Sequence, residues 1–133
     1  MGFVYVPMLV KGPRGKARSV EMLVDSGAAW SALPEADWSA LGLKPKRTCS
    51  FTLADGSQIQ RKVSECRFSY EGVEATSPVI LGERDDVALL GVVTLESLAL
   101  ILNPLDRTLR PMRALSMYTR PSTAGIAWST SLH

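Results

Sequence analysis

One carboxylate in this 133-residue chain occupies a position where a side chain could do chemistry. Asp25 directly follows the apolar run 22–24, and Ser26 and Gly27 come after it. A carboxylate at the end of an apolar strand is costly to bury unless it is hydrogen-bonded, paired or protonated. Such a position therefore indicates either a functional group or a cap, and Asp-Ser-Gly alone fits an Asx turn equally well.

The histidine content limits which catalytic chemistry is available. The single histidine is His133, the last residue, whereas Ser–His and Cys–His nucleophiles and most zinc sites need an imidazole. A terminal residue is rarely held in register with a buried site. A hydrolase built from this chain would therefore use carboxylates as acid and base, with Lys or Tyr as the remaining alternatives. We expect no metal and no other cofactor.

Composition excludes several other classes of protein. The net charge of +2 is too small for an electrostatic argument for nucleic-acid binding. The longest apolar stretch, 87–105, contains Glu96 and Pro104 and predicts no membrane span. The first ten residues lack a basic region and a small-residue cleavage site, so no signal peptide is expected. Cys49 and Cys66 are the only cysteines, which predicts a reducing, cytoplasmic setting and two small core residues.

The elements that must position Asp25 are short strands. Alternating and short apolar runs predict hairpins that join 3–10 with 19–24, 51–53 with 59–63, 65–70 with 73–81, and 100–102 with 108–112. Asp55-Gly56 is typical of a two-residue type I′ turn. Short helices are expected at 34–43 and within 92–100. The pattern predicts a mainly β fold, a small closed β-barrel with one or two short helices, over residues 1–112. Residues 113–133 are expected to form a tail or a dimer arm.

Three motifs in one order resemble the retropepsin-like aspartic proteases, a single-domain family that includes retroviral proteases and bacterial relatives. Asp25-Ser26-Gly27-Ala28 is similar to the family's Asp-Thr/Ser-Gly-Ala. Ala54-Asp55-Gly56 lies where the family has its flap, the hairpin that closes over the substrate. Leu89-Leu90-Gly91, followed by a helix, is similar to the second family signature. The resemblance covers about 3–111, and the chain looks like a bacterial-type member.

The resemblance implies a homodimeric aspartic endopeptidase acting on an extended polypeptide. Asp25 would be the catalytic carboxylate, Ser26 would brace the base of the site across the dimer, and Gly27 would let the substrate backbone approach. Hydrolysis of a peptide bond by carboxylates needs one carboxyl to take a proton from water and another to give one to the carbonyl, and two carboxyls about 3 Å apart share one proton. Since each chain offers one such Asp, a second copy would supply the other.

The resemblance also implies two groups of substrate-binding residues. Apolar subsites would come from Leu23, Ala28, Ala29, Trp30, Ala32, Val87 and Leu89. The flap would be formed by Leu53, Ala54, Asp55, Gly56 and Ser57, which exclude water when they close. Trp30 fits packing as well as binding, and Asp55 fits its turn better than catalysis. Gly91 allows either a tight passage behind the active strand or a simple turn.

Three departures from the family affect the dimer. Ala29 and Trp30 stand where retroviral members carry acids, and Val92 stands where they carry Arg. Phe3 already begins the first hairpin, so no separate N-terminal interface strand is expected, and dimerisation would rely on the segment from Leu100 onward. Since fold does not determine function, an inactive peptide-binding or dimerisation module on the same fold is the alternative.

Overall fold

The computed structural model describes residues 3–112, which fall into two compact units, 3–98 and 99–112. The tail predicted at 113–133 lies outside the described residues. The first unit contains seven strands and two helices. They are β1 (Tyr5–Lys11), β2 (Ala17–Val24), β3 (Ser31–Leu33), α1 (Glu35–Ala40), β4 (Arg47–Thr52), β5 (Gln58–Tyr70), β6 (Val73–Leu81), β7 (Leu89–Leu90) and α2 (Val92–Ser97). The second unit contains β8 (Leu100–Asn103) and β9 (Thr108–Pro111). The predicted mainly β fold is confirmed.

The seven strands of the first unit form one sheet in the order β1-β2-β7-β3-β6-β5-β4. The first strand also pairs with β5, through Leu9–Ser69 to Lys11–Arg67, so the sheet bends back on itself. Its inner face carries the core, which includes Met8, Met22 and Phe68, all fully buried. Closure into a complete barrel stays a prediction.

Period-two alternation accounts for the first hairpin. In β1, Val6, Met8 and Val10 are buried while the residues between them are exposed, because successive side chains point to opposite faces. The register pairs Tyr5 with Leu23 and Lys11 with Ala17. A short 3₁₀ turn at Pro13–Gly15 joins the strands, as the Gly-Pro-Arg-Gly segment predicts. The expected hairpin is confirmed.

The strand β5 is longer than the sequence predicts. Two separate arms were expected at 59–63 and 65–70, but one strand runs from Gln58 to Tyr70. It pairs with β4 from Gln58 to Val63 and with β6 from Lys62 to Tyr70. Val63 and Ser64 are both buried, so the alternation shifts by one residue there. That shift interrupts the alternation of buried and exposed residues, so the sequence pattern predicts two strands where the structure has one.

The shortest elements were the hardest to predict. No strand was expected at β3, which pairs in parallel with β6 and through Ala32 with β7. A strand of three residues is too short to show periodicity. The helix predicted at 34–43 is real but shorter, since α1 ends at Ala40 and Gly42 follows with a φ of +74°. The helix expected within 92–100 is confirmed as α2.

The second unit is a hairpin, as predicted. The register of β8 and β9 pairs Leu100 with Pro111 and Asn103 with Thr108. Asp106 in its loop accepts hydrogen bonds from the Thr108 hydroxyl and the Arg110 guanidinium, which lower the pKa of its carboxyl. The loop is therefore held by side chains at its own ends.

The two cysteines differ in burial. Cys66 lies in the core, and burial raises the pKa of its thiol to about 12, so it behaves as a small core residue. Cys49 is half-buried on β4, so only one of the two fully matches the prediction. Among the residues that the structure describes, no helix is long and apolar enough to cross a membrane.

Candidate active site

Asp25 stands at the end of a parallel pair of apolar strands. Leu23 and Val24 of β2 pair with Leu89 and Leu90 of β7. The Asp25 N–H then donates to the Leu90 carbonyl at 3.0 Å. The Asp25 side chain is half-buried, and its Oδ1 accepts a hydrogen bond from the Gly27 N–H at 2.9 Å. The Asx turn is therefore present, and it leaves the carboxylate at the strand end with polar partners.

The Gly91 segment, residues 91–93 at the start of α2, holds the Asp25 loop, residues 25–30, in place. The Val92 and Val93 N–H groups donate to the carbonyls of Ala28 and Ala29 at 2.8 and 2.9 Å. Gly91 makes this possible, because a Cβ there would lie 2.6 Å from the Trp30 carbonyl carbon and 3.0 Å from the Ala28 oxygen. Its φ of −96° suits any residue, so Gly91 serves a close approach and not a special turn.

A buried network of hydroxyl groups fixes the same junction. Thr94 Oγ1 lies 2.5 Å from Ser31 Oγ and 2.8 Å from Ser77 Oγ, and all three residues are buried. Ser31 Oγ accepts the Gly91 N–H at 2.9 Å. The network thus joins β3, β6 and α2 directly behind the Asp25 loop. Sequence reasoning missed it, since isolated hydroxyl residues show no pattern.

We expect Thr94→Val to lower the free energy of unfolding by about 2 kcal/mol, because it keeps the shape of the side chain but removes the hydroxyl that bonds to both Ser31 and Ser77. Ser31 then keeps only the Gly91 N–H, and Ser77 keeps only a 3.3 Å contact with the Pro78 carbonyl. Urea unfolding measures the effect. Thr76→Val, at the exposed neighbour of Ser77 on β6, is the matched control and should change stability by less than about 0.5 kcal/mol. Equal effects of the two substitutions would contradict a structural role for the network.

Beside the Asp25 loop lies an apolar groove of about 560 Å³. It brings together several residues predicted for the site: Gly27, Ala28, Ala29, Trp30, Ala32, Leu53, Val87 and Leu89. It also contains residues that the sequence did not indicate: Phe51, Thr52, Ile59, Arg61, Ile80 and Asp86. The added residues come mostly from β4, β5 and β6, which lie more than twenty positions from Asp25 in the sequence.

Seven of the predicted site residues do not line this groove. They are Asp25, Ser26, Leu23, Ala54, Asp55, Gly56 and Ser57. Asp25 and Ser26 adjoin it through Gly27, while Leu23 is half-buried in the ladder between β1 and β7. Residues 54–57 are exposed at the tip of the β4–β5 hairpin. Their part in substrate binding stays a prediction.

The turn at that tip differs from the predicted type I′. Gly56 has a φ of +88°, but Asp55 is not in the positive-φ region. The Gly56 N–H donates to the Leu53 carbonyl and the Leu53 N–H to the Ser57 carbonyl. This is a longer turn that ends in a left-handed glycine. Asp55 Oδ1 accepts hydrogen bonds from the Ser57 hydroxyl and the Ser57 N–H, which lower the pKa of the Asp55 carboxyl. These bonds within the turn account for an Asp at this position.

Aromatic packing joins the β4–β5 hairpin to the loop after Asp25. The Trp30 and Phe51 rings meet edge to face with centroids 5.5 Å apart. The Arg47 guanidinium lies 5.4 Å from the centre of the Trp30 ring. Trp30 therefore both packs and lines the groove. In the described range, 3–112, no three His, Cys, Asp or Glu side chains come close enough to hold a metal ion.

Two solved structures have a similar fold. One is the EIAV protease complexed with the inhibitor HBY-793, with 17% sequence identity, a TM-score of 0.58, and coverage of 73% of this chain and 88% of that one. The other is the retroviral protease-like domain of Ddi1 from Leishmania major, with 13% identity, a TM-score of 0.58, and coverage of 85% and 90%. No curated protein matches the chain significantly.

Sequence identities of 13–17% show a similar fold but do not assign a family. A match to a family model assigns the family. The model described as "gag-polyprotein putative aspartyl protease" matches residues 15–97, which is more than half of the chain and contains Asp25, the β4–β5 hairpin and the Gly91 segment. The fold and the match agree with the motif order in the sequence. The chain belongs to the gag-polyprotein aspartyl protease family, with a retropepsin-like fold.

Proposed function

We propose that this chain is an aspartic endopeptidase that works as a homodimer and hydrolyses an extended polypeptide. One observation carries the proposal: the Asp25 carboxylate ends β2 beside an apolar groove, and the Leu90 carbonyl and the Gly91 segment hold its loop. A pre-organised carboxylate next to a groove for apolar side chains is what peptide hydrolysis by carboxylates requires.

The chemistry needs a second carboxyl that one chain does not supply. In the proposed dimer the two Asp25 side chains lie about 3 Å apart and share one proton, since both cannot easily be ionised at that distance. The ionised carboxylate takes a proton from water as the water oxygen attacks the peptide carbon, and the protonated carboxyl donates to the carbonyl oxygen. The carboxyl that took the proton from water then gives it to the amide nitrogen, so that the C–N bond breaks and the amine leaves. Ser26 braces the two loops, and Gly27 leaves room for the substrate backbone.

Peptide binding without hydrolysis is the second candidate function. One observation favours it: a single chain already contains the apolar groove and the β4–β5 hairpin, whereas the catalytic pair needs two chains. A protein of this fold therefore binds a peptide in circumstances where it cleaves none. Hydrolysis of peptides by the purified chain distinguishes the two candidates.

The β8–β9 hairpin is the proposed dimer surface. It forms a two-stranded sheet, and no third strand pairs with it among residues 3–112. Its outer edges carry backbone groups that can pair with a strand of another chain. Ile101 on β8 is 48% exposed, which adds an apolar side chain to this surface. The tail from Arg113 is proposed either to join this interface or to occupy the groove as an inhibitor.

Dilution tests the dimer. We expect the activity per chain to fall as the protein is diluted through its dimer dissociation constant, because a monomer has one Asp25 and therefore no carboxyl pair. Sedimentation and peptide cleavage are measured over the same concentrations. Truncation after Met112 then separates the roles of the tail, since loss of dimer and activity indicates an interface arm and a gain in activity indicates an inhibitor. A fully active monomer would overturn the proposed mechanism.

A further inference from the structure

Arg61 is a half-buried cation on β5. Along β5, Ile59, Arg61 and Val63 are half-buried or buried, while Gln58, Gln60 and Lys62 between them are exposed. The alternation therefore turns the Arg61 side chain to the same face of the β4–β5 hairpin as Ile59 and Phe51, and only 24% of that side chain is exposed. It lines the apolar groove beside the Asp25 loop. A half-buried cation in an apolar lining is stabilised by an anionic partner.

The partners of Arg61 within the chain are weak. One guanidinium N–H donates to the carbonyl of its neighbour Gln60 at 3.1 Å. Another lies 3.4 Å from the carboxylate of Glu83, whose side chain is 72% exposed. A charged pair of good geometry is closer than 3 Å, and an exposed pair stabilises a protein little. In the described part of the chain, these two acceptors serve a group that has five N–H donors.

Two other charged groups near the groove, Asp86 and Arg47, have partners of their own. Asp86 also lines it, but its Oδ2 accepts the Glu83 N–H at 2.6 Å and so belongs to the 83–86 turn. Arg47 faces the same side of the hairpin and lies over the Trp30 ring. Among the described residues, Arg61 is the one basic side chain in the groove lining.

We propose that Arg61 forms a subsite for a carboxylate, so that the preferred polypeptide carries one acidic side chain among apolar ones. This inference rests on the proposed function and names its substrate class. The guanidinium exchanges its loose contact with Glu83 for the substrate carboxylate, which it can bind through two parallel hydrogen bonds. The apolar walls reduce the water around this pair and strengthen it. The acidic residue sets binding and register and takes no part in the proton transfers.

Peptide sets with one varied position test the subsite. Each position of an apolar peptide is made Glu in one peptide and Gln in its pair, and kcat/KM is measured for both. We expect a preference for Glu of about tenfold at one position, the size typical of a hydrogen-bonded charge pair. The preference should shrink as salt is added. Arg61→Gln should abolish it, and Arg61→Lys should restore part of it.

A matched control and a binding measurement make every outcome decisive. Arg67→Gln changes the exposed arginine of the same strand, which pairs with Glu74 outside the groove, and should keep the preference. Binding of the same peptides to the Asp25→Asn chain should show the same Glu preference without cleavage. Cleavage or binding with no Glu preference overturns the subsite alone. A chain that neither cleaves nor binds any of the peptides overturns both the subsite and the proposed function.

Discussion

Asp25→Asn should abolish peptide hydrolysis, with a loss of about 10³-fold or more in kcat/KM, while the fold survives. A positioned acid or base contributes about 10²–10⁴-fold, and the substitution removes both members of the shared-proton pair from the dimer. Asn keeps the size of the side chain and an oxygen that can accept the Gly27 N–H. Cleavage of a peptide and urea unfolding, measured on the same preparation, separate catalysis from stability.

A control variant and two further measurements identify the Asp25 pair as the cause of the loss. Asp85→Asn, in an exposed loop, is the matched control and should leave both cleavage and stability unchanged.

The wild-type rate should follow a bell-shaped pH profile on the acid side, whose two limbs belong to the Asp25 pair as a unit. Excess Asp25→Asn chain mixed with a fixed amount of wild type should also suppress activity, because mixed dimers lack one acid. An Asp25→Asn chain within a fewfold of wild type would refute the assignment.

Gly91→Ala should lower the free energy of unfolding by about 3 kcal/mol. The new Cβ would meet Trp30 carbonyl atoms at 2.6 and 2.7 Å and the Ala28 oxygen at 3.0 Å, all of them backbone. Overpacking of this kind costs about 1–3 kcal/mol where side chains can adjust, and here none can. Relief requires either the Asp25 loop or α2 to move, so activity should fall as well. Urea unfolding and peptide cleavage measure the two losses.

Gly72→Ala separates crowding from backbone conformation. Gly72 has a φ of +87° with open space around it, so its substitution costs only the left-handed strain of about 1 kcal/mol. Gly91 has an ordinary φ and no space. A Gly91→Ala chain as stable as the Gly72→Ala chain would show that the junction between Trp30 and α2 is loose and does not hold the loop after Asp25.

Local chemistry explains which parts of this protein were predictable. Alternating burial in β1 and turn residues such as Gly72 are properties of neighbours in the sequence, so the hairpins were correct without any tertiary information. The end of β2 just before Asp25 was predictable for the same reason, because a carboxylate directly after an apolar run indicates the end of a strand. Where the alternation shifts, at Val63 and Ser64, the same reasoning divided one strand into two.

The mainly β class and the position of Asp25 at the end of an apolar strand follow from the amino-acid sequence, because both depend on residues within a few positions of each other. The surroundings of Asp25 depend on the three-dimensional fold. Thr94 reaches Ser31 across 63 positions, and Arg61 faces the groove only because the bent sheet brings β5 opposite the Asp25 loop. From the sequence, Gly91 fits either a close approach of two segments or a simple turn. The Trp30 backbone packs so tightly against Gly91 that the close approach is the reason for the glycine. Contacts of this kind depend on strand order, which no local pattern encodes.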